Sequence, residues 1–117
     1  MKQEHTYVDK GWGFEDIIVN NDLYCGKVLH FEEFKRCSYH YHKLKTETFF
    51  LRKGMLMVTY GWTDDILEAK ETVLMAGDIF HIPIGLRHQM FAMEESELFE
   101  FSTQDFVDDS YRVIKGD

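Results

Sequence analysis

With 117 residues, 13 basic against 21 acidic side chains and a formal charge of −8, the chain is sized for one core rather than two. The acidic balance argues against nucleic-acid binding, which starts from a basic patch, and no run approaches the roughly 20 apolar residues of a membrane helix. The opening Met1-Lys2-Gln3-Glu4-His5 lacks the apolar core of a signal peptide, and Cys25 and Cys37 are too few to staple a secreted scaffold, so a cytoplasmic, soluble single domain with two buried free thiols is expected.

The elements read in order as short runs rich in aromatic and β-branched residues, separated by Gly, Asn or Asp. Asp16 to Val19 ends at the turn Asn20-Asn21-Asp22, and Tyr24 to Phe31, Arg36 to His42, Thr48 to Leu51 and Met55 to Tyr60 follow. Gly61 to Asp65 makes another turn before Glu71 to Met75, Asp78 to Pro83, His88 to Met93 and Leu98 to Ser102. About nine short strands at nearly regular spacing indicate an all-β sandwich or barrel, with helix limited to a turn near Ala69. Glu94-Glu95-Ser96-Glu97 and Asp108-Asp109 read as solvated surface, the first as a turn between strands.

Within this pattern lies a set of metal-ligand types: His40-Tyr41-His42, then Glu47, then His88 far downstream. Strand side chains alternate, so His40 and His42 share one face while Tyr39 and Tyr41 take the other. A tight turn through Lys43-Leu44-Lys45-Thr46 would bring the Glu47 carboxylate back towards the imidazoles. Three neutral imidazoles and one carboxylate suit a divalent transition metal, and Fe, Mn, Ni, Cu or Zn would each accept them. Phe49 and Leu51 share the parity of Glu47 and would line the inner wall, with Met55, Met57, Met75, Met90 and Met93 as core filler.

Two separated segments resemble the paired motifs of the cupin superfamily. His40, His42, Glu47 and Gly54 fall on G-x5-H-x-H-x4-E-x6-G, with Phe34 where the leading Gly is expected. Gly77, Pro83, Gly85 and His88 fall on G-x5-P-x-G-x2-H-x3-N, with Ala92 in place of the final Asn. The resemblance implies a double-stranded β-helix (jelly-roll barrel) spanning residues 1–117 as a single cupin domain with an N-terminal arm. It also implies that His40, His42, Glu47 and His88 ligate one divalent transition metal ion. Gly54, Gly77 and Gly85 stand where strands must turn sharply, and glycine permits positive φ there.

A narrower resemblance, to the small cupin domain of type II mannose-6-phosphate isomerases, covers almost the whole chain. It rests on Lys10-Gly11-Trp12-Gly13-Phe14-Glu15, on Ser38-x-His40-x-His42-x-x-Lys45-x-Glu47, on Gly77-Asp78-Ile79-Phe80-His81-Ile82-Pro83, and on Leu98 to Thr103 followed by Asp108-Asp109-Ser110-Tyr111-Arg112. The activity implied is isomerisation or epimerisation of a sugar or sugar phosphate, with the metal polarising a hydroxy-carbonyl substrate. The alternatives are an Fe(II)-dependent dioxygenase and a non-catalytic module that binds a small metabolite.

Such isomerisation needs a general base free of the metal, for which His81 and Tyr41 are the candidates. Asp78 is expected to cap its own turn instead. Lys45 and Arg87 are candidates for an anionic substrate group, with a solvated surface cation as the plain alternative for each. The Trp12 and Phe14 arm, in cupins of this kind, commonly packs on a neighbouring subunit, and a homodimer is expected.

Overall fold

The short runs form strands, and two more form than the sequence pattern delimits. A computed structural model describes residues 1–117. It contains β1 (Thr6–Lys10), β2 (Gly13–Asn20), β3 (Cys25–Phe31), β4 (Tyr39–Tyr41), β5 (Glu47–Lys53), β6 (Met55–Gly61), β7 (Lys70–Met75), β8 (Ile79–Ile82), β9 (Arg87–Ala92), β10 (Ser96–Ser102) and β11 (Tyr111–Ile114). One sheet runs β1-β2-β3-β10-β5-β8 and the other β11-β4-β9-β6-β7. The paired strands are antiparallel, and the two sheets make the all-β jelly roll that the paired motifs imply. The two unforeseen strands, β1 and β11, are mostly exposed. They carry no alternating apolar face to read, and backbone pairing at a sheet edge makes them.

Strand alternation builds the interior. On β3, residues Cys25, Lys27, Leu29 and Phe31 are buried; on β5, Glu47, Phe49 and Leu51; on β10, Ser96, Leu98 and Glu100. These three strands are neighbours in the order β3-β10-β5, so their inward side chains share one wall. That wall is apolar at one end, where Leu98 faces Leu29 and Leu51, and charged at the other, where Glu100 faces Lys27. Leu56, Val58, Leu74, Met90 and Ala92 complete the core from the five-stranded sheet.

The turns follow their residue chemistry. Gly54, Gly77 and Gly85 have φ of 97°, 97° and 86°, values disfavoured for residues with a Cβ. Phe34, which replaces the motif glycine, sits at φ 65°, the sole non-glycine residue with positive φ. Its N–H donates to the Ala92 carbonyl at 2.7 Å, and the Ala92 N–H donates to the Lys35 carbonyl at 2.9 Å, so the two departures from the motifs lie against each other. The Asp78 carboxylate accepts from the Met75 N–H at 2.8 Å and caps its turn as expected.

Several expectations are corrected. Trp12 is buried within its own chain and stacks on Phe31 at 4.3 Å between ring centroids, and Phe14 stacks on His30 at 4.3 Å. The arm therefore needs no neighbour to shelter its tryptophan. Among the five methionines named as core, only Met90 is fully buried, because Met75 and Met93 are exposed and Met55 and Met57 half-exposed. Cys25 and Cys37 are buried free thiols as read, and burial pushes the Cys37 thiol up to about 12. Asp108 is solvated, but Asp109 is 3% exposed, and Lys45 is equally buried.

Candidate metal centre

β4 carries His40, β9 carries His88, and His42 directly follows the end of β4. His40 on β4 pairs directly with His88 on β9, and His42 follows two residues on, on the same face. The ring centroids lie 4.4 Å (His40–His88), 5.1 Å (His40–His42) and 5.6 Å (His42–His88) apart. One nitrogen from each ring falls within 4.8 Å of the other two. Glu47 opens β5 opposite this cluster, its Oε2 standing 3.5 Å from His42 Nε2 and 3.3 Å from His88 Nε2. The four residues that the motif joined are thus brought together, three imidazoles as a compact group with the carboxylate alongside.

The second nitrogen of each ring fixes the tautomer. His40 Nδ1 donates to the Ser38 carbonyl at 2.8 Å, His88 Nδ1 to the Leu86 carbonyl at 2.9 Å, and His42 Nδ1 to the Asp109 carbonyl at 2.6 Å. With the proton on Nδ1, each neutral ring turns a bare Nε2 lone pair inwards. His88 Nε2 and Glu47 Oε2 are fully buried and have no hydrogen-bond partner. Two lone pairs 3.3 Å apart repel unless a cation or an extra proton lies between them. The donor set and its orphaned atoms therefore fit a divalent transition metal.

The electrostatics point the same way. Burial, reinforced by the two neighbouring imidazoles, holds His40 well below the ordinary histidine value, and burial likewise lowers His42. Burial opposes ionisation of Glu47, yet His88, Lys45 and His42 together outweigh it and hold its carboxyl well below the usual range. Neutral rings at His40 and His42 beside an ionised Glu47 carboxylate match the protonation state that ligation requires.

Beside this cluster runs a buried charge network that the sequence reading missed. Lys45 Nζ lies 3.0 Å from Glu47, 3.1 Å from Glu100 and 2.9 Å from Asp105. Lys27 Nζ lies 2.8 Å from Asp105 and 3.5 Å from Glu15. Burial would strip both lysines of charge, but the surrounding carboxylates reverse the effect and raise them. Asp105 is lowered to about 2: its burial is outweighed by the two lysines. Glu100 goes the other way, raised to about 7 by burial and by the Glu47 charge. Strand parity alone could have flagged Lys27 and Glu100, since each shares a face with core residues on its own strand.

The remaining candidates lie elsewhere. A cavity of about 600 Å³ is lined by the three histidines, Glu47, Lys45, Glu100, Lys27 and Asp105, with Arg112 and Lys115 also on its wall. His81, Tyr41 and Arg87 do not line it. His81 is on β8, exposed, with Nδ1 bonded to the Glu47 carbonyl at 2.9 Å. Tyr41 stacks on Tyr111, with the Arg87 guanidinium 3.7 Å above its ring, and Arg87 pairs with Asp64 at 2.8 Å. Lys45 does reach the cavity, with its ammonium already shared among three carboxylates.

No protein-family model matches the chain, and no curated protein matches it. Solved structures do. The capsular polysaccharide assembling protein CapF from Staphylococcus aureus superposes with a TM-score of 0.80 at 16% identity, over 95% of this chain and 34% of that one. KdgF from Halomonas sp. gives 0.75 at 18% identity, over 89% of this chain and 90% of that one. Oxalate decarboxylase from Bacillus subtilis gives 0.77 at 18% identity, over 93% of this chain and 30% of that one. The chain spans about a third of the length of the CapF and decarboxylase chains. At these identities the likeness defines the fold, that of cupins, and leaves the activity to be argued from the site.

Proposed function

We propose that this chain is a metal-binding cupin that isomerises or epimerises a small sugar or sugar phosphate. The single observation that carries the metal is the buried, unpartnered pair His88 Nε2 and Glu47 Oε2 within the histidine cluster. His40, His42, His88 and Glu47 would hold the ion, Glu47 through Oε2, because its Oε1 is committed to Lys45. A bound divalent ion would supply Lewis acidity towards the carbonyl of a hydroxy-carbonyl substrate, acidifying the adjacent C–H.

Chain residues would do the rest. Phe49, Leu29 and Phe31 line the cavity and exclude water from the reacting carbons. Arg112 and Lys115, which line the cavity without being buried in ion pairs, take the anion-binding role first considered for Lys45 and Arg87. The proton-transfer role passes from His81 and Tyr41, which lie outside the cavity, to Glu100, a carboxyl on its wall. A homodimer in the cytoplasm remains part of this reading. Its support is the outer face of the six-stranded sheet, where Val28, Phe99, Phe50 and Ile79 stand in register across four strands.

The test is a screen of hexose and pentose phosphates with the metal-loaded protein in deuterated buffer. Isomerisation without oxygen uptake, with solvent deuterium entering at the carbon next to the carbonyl, is expected. Oxygen consumption would favour the iron dioxygenase, and binding without turnover the metabolite-binding module. A sedimentation mass near one 13.9 kDa chain would remove the homodimer.

A further inference from the structure

Two of the three histidines are aimed by their own strands: His40 and His88 each donate to the carbonyl two residues earlier. His42 is different. Its Nδ1 donates to the Asp109 carbonyl, 67 residues away in the C-terminal segment. The side chain of the same residue reaches the turn between His42 and Glu47. Asp109 Oδ1 accepts from the N–H of Lys43 at 2.8 Å and of Leu44 at 3.1 Å, and Oδ2 from Leu44 at 3.2 Å and Lys45 at 3.0 Å. Three consecutive amides of a turn thus converge on one buried carboxylate, and no other residue bonds at once to a histidine of the cluster and to the turn that carries Glu47.

From this geometry we infer that Asp109 is a positioning residue that sets His42 and Glu47 relative to each other, tying the competence of the metal centre to the docking of the C-terminal segment. The physical case is one of geometric tolerance. Ligand atoms must be held to within about 0.5 Å of their working positions by their supports. The turn 43–46 has no strand pairing of its own to hold it. Without the carboxylate the three amides lose their acceptor, so the turn takes another path and Glu47 moves with it. The segment that bears Asp109 also carries Ser110, Arg112 and Lys115 on the cavity wall. Its docking thereby sets the ligands and the substrate wall together.

This inference rests on the metal reading of the histidine cluster, so the experiment reads the apo protein as well. Asp109→Ala and Asp109→Asn are compared with the wild type by Co(II) titration against a competing chelator. Alongside, the apo proteins are examined by ¹⁵N NMR of the histidine rings and hydrogen exchange of the Lys43, Leu44 and Lys45 amides. Loss of a residue that orients a ligand weakens metal affinity by about 10–100-fold, the result expected for Asp109→Ala; Asp109→Asn, which keeps one acceptor oxygen, falls between. In the apo protein the protection of the three amides is lost, and the His42 Nδ1–H signature is lost with it because the main-chain carbonyl of residue 109, which both variants keep, undocks with its segment; the His88 signature, fixed by Leu86, is kept. A residue that only stabilised the fold would lower the melting temperature and leave the folded fraction's affinity and the His42 signature unchanged; that result overturns the inference. If Asp109→Ala does not fold, Asp109→Asn decides: wild-type affinity with wild-type amide protection overturns it. Wild-type protein that binds no Co(II) removes the metal reading, and the apo signatures then decide the positioning of His42 by themselves.

Discussion

Two buried polar regions share one cavity wall and are built in opposite ways. The lysine–carboxylate network is complete: the Lys45 and Lys27 ammonium groups are each met by carboxylates at 2.8 to 3.5 Å, and Glu100 also accepts from Ser102. The histidine cluster is incomplete, since each outer nitrogen is satisfied by a backbone carbonyl while His88 Nε2 and Glu47 Oε2 face inwards unpaired. Folding rarely leaves such atoms buried without a partner. The first region is closed by the chain's own charges, and the second presents two buried acceptor atoms that a cation would satisfy. Glu47 belongs to both, one oxygen in each.

The comparison can be broken first at the finished region. Lys45→Met leaves Glu47, Glu100 and Asp105 without their shared cation, and breaking a buried charge network by removing one partner costs about 3–5 kcal/mol. Urea denaturation should show that loss, and a midpoint close to wild type would mean the network contributes little. Lys27→Met should cost less, because its partners Asp105 and Glu15 are 22% and 17% exposed and can recover water.

A smaller effect separates the regions by pH. The folded value of Glu100, about 7, lies above its ordinary 4.5, so its contribution to stability is full below 4.5 and is lost as pH rises through 7. His40 and His42 have lowered folded values, so their contribution is present above 6.5 and is lost as pH falls through those folded values. Glu100→Gln should therefore remove the decline on the alkaline side and leave the acid side in place. Denaturation curves between pH 5 and 8 that keep the wild-type slope would contradict the burial of an ionisable group at Glu100.

The smallest effect lies away from both regions. Phe34→Gly relieves a left-handed backbone that costs a side-chain-bearing residue about 1–2 kcal/mol, partly offset by the extra freedom of glycine in the unfolded chain. A gain of about 1 kcal/mol in thermal or urea stability is expected, with metal binding untouched. A loss would mean that the Phe34 ring, 65% exposed, packs on something that this single chain lacks.

The sequence made the histidine cluster legible because its members alternate on a strand and their spacing fits a known motif. The glycines at Gly54, Gly77 and Gly85 were legible because positive φ restricts the choice of residue. Lys45 and Asp109 were misread for a shared physical reason: a charged side chain next to a turn is ordinarily solvated, and only tertiary contacts 55 to 66 residues apart bury these two. Glu100 was passed over although it shares the inward face of β10 with Ser96 and Leu98, a parity the sequence carries. His81 and Tyr41 were drawn in by proximity along the chain, which in a sheet of alternating faces does not give proximity in space.

Metal content tests the central claim most directly. Protein purified without chelator and digested in acid should release about one divalent transition ion per chain, as a single site of mixed nitrogen and oxygen ligands requires. His42→Ala and His88→Ala should release almost none, and Tyr39→Phe should match the wild type, since Tyr39 is on the other strand face from the histidines. Wild-type protein that carries no metal and takes none up on addition, or the two histidine variants at wild-type occupancy, would contradict the account.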